Sequence, residues 1–133
     1  MSQQAFFAEI KTYEITIGRS LKNALSHFKE TWDRQIILNM APYRSGKGVT
    51  RAVLNFYEKE DKVWSLSSSN RWNNRLLIRI PISDFSDVYR VLQTERPINL
   101  LWVEATPKAK SSSLSAWRIT TSREPIGEGE SEF

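Results

Sequence analysis

The stretch from Lys62 to Leu92, KVWSLSSSNRWNNRLLIRIPISDFSDVYRVL, carries the pattern that decides the fold. Trp64 and Leu66 alternate with Ser65 and Ser67, and Leu76, Ile78 and Ile80 alternate with Arg75, Leu77 and Arg79. A period of two sends successive side chains to opposite faces of a strand. The alternation therefore predicts two strands joined by a polar turn that holds Trp72. Pro81 ends the second strand, Ser83 can cap a helix, and Phe85, Val88, Tyr89 and Leu92 follow at helical spacing. One face of this sheet is apolar, and the other presents Arg75 and Arg79 beside Arg71 and Trp72.

Upstream, residues 5–17 mix aromatic, branched and charged side chains in partial alternation, as a strand or bent strand pair does. Leu21, Ala24, Leu25, Phe28 and Trp32 recur every three or four residues and predict an amphipathic helix over 21–32. Residues 34–40, RQIILNM, form a short apolar run expected to be a central strand. Ala52, Leu54 and Phe56 alternate with Arg51, Val53, Asn55 and Tyr57, and Glu60-Asp61 turns this strand back onto 62–68 as a hairpin. Between them APYRSGKG is a basic glycine loop with Arg44 and Lys47; its offsets are not those of a nucleotide-binding phosphate loop. Residues 98–105 and 115–121 read as strands, separated by TPKAKSSSL, a second mobile basic loop carrying Lys108 and Lys110. The order β-α-β-β-β-β-α-β-β predicts a single-domain α+β fold, a curved antiparallel β-sheet with two helices packed on one face.

Composition narrows the chemistry. The 133 residues include no cysteine and one histidine, His27, which removes disulfides, thiolate nucleophiles, cysteine-based metal sites and a histidine triad. No acids are spaced to hold magnesium for a nuclease. The expectation is a non-enzymatic protein with no catalytic residue, no metal and no cofactor. Apolar runs are too short to span a bilayer, and MSQQAFFAEIK lacks the pattern of a signal peptide, so an intracellular, cytoplasmic, non-secreted protein is expected.

Net charge is +4, but it is unevenly divided. In residues 122–133 Arg123 stands against Glu124, Glu128, Glu130 and Glu132, a segment at −3, so residues 1–121 carry +7. The chain divides into a basic globular domain, 1–121, and an acidic tail, 122–133, expected to be disordered. A basic body favours polyanions through phosphate neutralisation and counterion release. Arg44, Lys47, Arg51, Arg71, Arg75, Arg79, Lys108 and Lys110 are the candidate phosphate contacts. Trp72, Tyr57 and Tyr43 are candidates for stacking on bases. Trp72 also fits a lid on the core edge, and the basic side chains also fit a solvated face. Neither helix is basic enough to read a duplex groove, so single strands of DNA or RNA are the expected partner. A basic face that binds an acidic protein, as a small interaction subunit or adaptor, is the alternative.

The tail SREPIGEGESEF, with Glu128, Glu130, Glu132 and terminal Phe133, resembles the acidic, phenylalanine-ended tails of bacterial and phage single-stranded DNA-binding proteins. That resemblance implies recruitment of replication and repair proteins by the tail and restraint of the binding groove. The tail here has no aspartate and fewer acids than the family pattern. Separately, the order strand, strand, strand, strand, helix from Gln35 to Gln93 is similar to the ββββα unit of the PUR, Whirly and positive-cofactor-four group. It implies single-strand binding across a curved sheet and assembly as a homodimer or higher homo-oligomer. An OB-like β-barrel is the competing fold.

Overall fold

The computed structural model describes residues 3–18, 32–42, 48–57 and 69–121. Seven strands, β1 (Gln4–Ile17), β2 (Trp32–Pro42), β3 (Arg51–Tyr57), β4 (Asn70–Trp72), β5 (Arg75–Pro81), β6 (Asn99–Glu104) and β7 (Ser111–Thr120), are joined by one helix, α1 (Phe85–Thr94). They form a closed barrel in the order β1-β2-β3-β5-β4-β7-β6. Closure depends on the length of β1. Its first part pairs with β6 from Gln4↔Glu104 to Glu9↔Asn99, and its second part pairs with β2 out to Ile17↔Arg34. The β1–β2 register shifts between Ile10 and Thr12, leaving Lys11 as the extra residue of a bulge. A bulge bends its strand and increases its twist, which is how one strand can serve two neighbours around a barrel.

Inward positions of β3 and β5 follow the alternation read from the sequence. Ile36, Leu38 and Met40 of β2, Ala52, Leu54 and Phe56 of β3, and Leu76, Ile78 and Ile80 of β5 fill the barrel with Phe6, Ala8, Leu100 and Trp102. Each such large side chain contributes about 1.5–3 kcal/mol relative to exposure. Helix α1 adds Leu92 to the core and is tied on by aromatic contacts. Phe85 meets Phe56 edge-on with centroids 5.1 Å apart, Phe85 stacks with Tyr89 at 5.9 Å, and Tyr89 meets Tyr13 at 6.4 Å.

The two-helix sheet is therefore corrected to a barrel with a single helix among the described residues. Trp32, expected to close a helix over 21–32, begins β2 instead, and residues 19–31 lie outside the described residues. The sheet is not wholly antiparallel: β3 and β5 run parallel, from Arg51↔Arg75 to Tyr57↔Pro81. Over 51–57 both edges of β3 are taken, by β2 and β5, which leaves none for a hairpin with 62–68; that segment also lies outside the described residues. The helix after β5 begins through a 3-10 turn, Ile82–Asp84, and no side-chain cap bond is made at its start, so Ser83 does not cap it. The loop expected over 106–114 is half strand, since β7 starts at Ser111 and Leu114 is buried in the core.

Candidate functional site

The turn between β4 and β5 is two residues long, Asn73-Asn74, with Asn73 at φ 57°. Asparagine tolerates this left-handed backbone, and two-residue hairpin turns require it. The turn sets Trp72 opposite Arg75 and Arg71 opposite Leu76. Directly opposed residues share a face. Leu76 points into the barrel, so Arg71 does too, and Trp72 is placed outside with Arg75.

Outside the barrel the registers align a row across five strands. Asn39 of β2 opposes Arg51 of β3, Arg51 opposes Arg75 of β5, Arg75 opposes Trp72 of β4, and Trp72 opposes Ser111 of β7. At about 4.8 Å per strand the row is roughly 19 Å long. A second row, Ile37, Val53, Leu77, Asn70 and Ser113, runs beside it. Three shallow depressions, of about 480, 410 and 320 Å³, follow these rows. Arg75 lines the first two, while Trp72 and Asn70 line the second and third, so they form one trough.

Trp72 is 51% exposed, so about half of its surface is open at the trough. The ammonium of Lys110 lies 5.9 Å from its ring centroid, within range of a cation–π contact. Arg51 and Arg75 are exposed, and their side chains make no hydrogen bond or ion pair among the described residues. The trough thus holds free guanidinium groups on one side of an exposed indole. On its other side Ser111, Ser113, Asn70 and Thr106 supply hydroxyl and amide groups.

Arg71 is not a surface contact. It is 3% exposed and spends all five of its N–H donors inside the protein. Its Nε donates to Glu104 Oε1 at 2.7 Å, and its terminal nitrogens donate to the carbonyls of Asn73, Lys110, Pro107 and Ala109. Glu104 is fully buried and accepts at Oε2 from Trp102 Nε1 at 2.9 Å. The loop expected to be mobile is fastened by this arginine to the β4–β5 turn, and Asn73 N–H donates to the Lys110 carbonyl at 2.9 Å as well. This clamp holds Lys110 beside Trp72.

Tyr57 is corrected as a stacking residue, because it is 2% exposed. Its hydroxyl accepts a hydrogen bond from Arg79 at 2.6 Å, and the Arg79 guanidinium lies 5.5 Å from its ring centroid. Arg79 is half-buried and engaged there, away from the Arg51–Arg75–Trp72 row. Lys108 is exposed on the clamped loop. Arg44, Lys47, Glu128, Glu130, Glu132 and Phe133 lie outside the described residues, as does Tyr43.

Lys11, Asn39, Asn70, Ser111 and Ser113 line the trough without having stood out in the sequence. Lys11 enters through the β1 bulge, which alternation cannot locate. The inward turn of Arg71 did have a signal: an Asn-Asn two-residue turn implies 71↔76 pairing, and Leu76 belongs to the apolar set. Among the described residues no three metal-ligating side chains come together. No protein-family model, curated protein or solved structure matches the chain.

Proposed function

We propose that the protein binds single-stranded nucleic acid along the trough, without catalysis. The observation that carries this reading is the row Arg51–Arg75–Trp72, in which two guanidinium groups with no partner among the described residues stand beside an exposed indole. Single-strand sites combine cations that follow the backbone with aromatic rings that accept any base, each stack contributing about 1–3 kcal/mol. A shallow trough running across the strands admits a flexible strand with its bases turned in; a duplex would meet Trp72 only through its grooves. The barrel supports the same reading. Placing β5 between β3 and β4 gives a Greek-key order, and we assign the barrel to the OB-like type, in which the face of the second and third strands and adjoining loops bind oligonucleotides.

Titration with an oligothymidylate, followed by tryptophan fluorescence at low salt, tests the proposal. Expected is a saturable change that Trp72→Phe reduces and that weakens steeply with salt. No change in fluorescence and no shift in gel mobility with DNA or RNA would overturn it. In that event binding of an acidic polypeptide to the same face would favour the adaptor reading.

A further inference from the structure

Arg51 and Arg75 stand directly opposite each other on the parallel β3–β5 pair. Like charges in this position repel one another and destabilise the pair. Neither arginine has an acidic partner among the described residues. They share one concave surface with Lys11, Asn39, Thr50 and Asn74, a depression of about 480 Å³ with no acid in its lining among the described residues. Lys11 is brought there by the β1 bulge, and its acidic contact among the described residues is Glu9 at 3.1 Å, on its own strand. The floor is rigid, since Met40 N–H donates to the Thr50 carbonyl at 2.9 Å and Thr50 N–H to the Asn74 carbonyl at 3.1 Å. An oxyanion between the two guanidinium groups would convert their repulsion into two charge-assisted contacts.

We infer that this depression is a phosphate-binding site, formed by Arg51 and Arg75 with Lys11, Asn39, Thr50 and Asn74 around them. On the single-strand reading above, on which this second step rests, it holds the phosphate of the nucleotide whose base lies on Trp72. The spacing fits, because Arg75 and Trp72 are cross-strand neighbours. The phosphate of a chain interior and a terminal or free phosphate present the same oxygens to these groups.

The test uses the full chain in a phosphate-free, low-salt buffer. Calorimetric titration with pyrophosphate should show saturable binding that the exposed-surface double variant Arg51→Ala/Arg75→Ala weakens at least tenfold. The distant Arg90→Ala should leave it unchanged. Pyrophosphate should also displace a fluorescein-labelled oligothymidylate. Equal affinity for oligonucleotides with and without a 5′-phosphate would assign the site to internal phosphates, and a tenfold preference for the phosphorylated end would assign it to termini. Failure of pyrophosphate to bind, or binding unaltered in the double variant, overturns the site. If the oligonucleotide still binds in that case, the single-strand reading survives on other groups. Arginine-dependent pyrophosphate binding with no oligonucleotide binding keeps the site and removes the single-strand reading.

Discussion

Arg71 and Arg75 lie four residues apart in one hairpin, and they do opposite things. Arg71 enters the barrel, meets Glu104 and gives each of its five donors to a protein acceptor. Arg75 stands outside, opposite Arg51, and its side chain has no hydrogen bond or ion pair among the described residues. A count of basic residues treats the two alike. The inner cluster of Arg71, Glu104 and Trp102 is a buried, fully satisfied polar network that fixes loop geometry. The outer row of Arg51, Arg75 and Trp72 is left with unmet charge and an exposed ring, the condition for binding something else. Free charge, rather than charge, is what marks a site.

The contrast breaks first at the clamp. Replacing Arg71 with Met leaves the Glu104 carboxylate buried without its counter-charge, and urea unfolding should show a loss of about 3–5 kcal/mol. If Arg71 were a surface phosphate contact, stability would hardly change. On the outer side, Trp72→Ala should weaken oligothymidylate binding by about 1–3 kcal/mol, roughly 5- to 150-fold, while the unfolding midpoint moves little because the ring is half exposed. A large loss of stability with no loss of affinity would move Trp72 to the structural side of the comparison.

Tyr57→Phe sharpens the same division. The variant loses the hydrogen bond from Arg79 and should unfold about 1 kcal/mol more easily, with affinity for the oligonucleotide unchanged; a tenfold drop would return Tyr57 to the binding surface. The smallest effect is expected at Arg51→Glu, where an attractive cross-strand pair replaces a repulsive one. It should raise stability by a few tenths to about 1 kcal/mol, and it should lower oligonucleotide affinity.

How much of this was legible beforehand depends on the range of the interaction. The apolar face of β5 and the helix at Phe85–Thr94 followed from alternation and helical spacing, which are properties of a few consecutive residues. Trp72 was singled out because serines, asparagines and arginines surround it, and such a sequence offers a large ring nothing apolar to pack on. Arg71 was misplaced because β4 has only three residues, too few for alternation to declare a face. Tyr57 was misplaced because it sits on the outer face of its strand, where exposure is the default, yet the assembled structure buries it.

By itself the sequence determined the inward and outward phase of β3 and β5, the place of the second predicted helix and the uneven distribution of charge, because each is written in neighbouring residues. Only the tertiary structure decided that the sheet closes into a barrel, that β3 pairs in parallel with β5, that Lys11 reaches the trough through a bulge, and which arginines are free. Those outcomes depend on register between segments distant in the chain. Register is set by how all the strands pack together, and no single segment carries it.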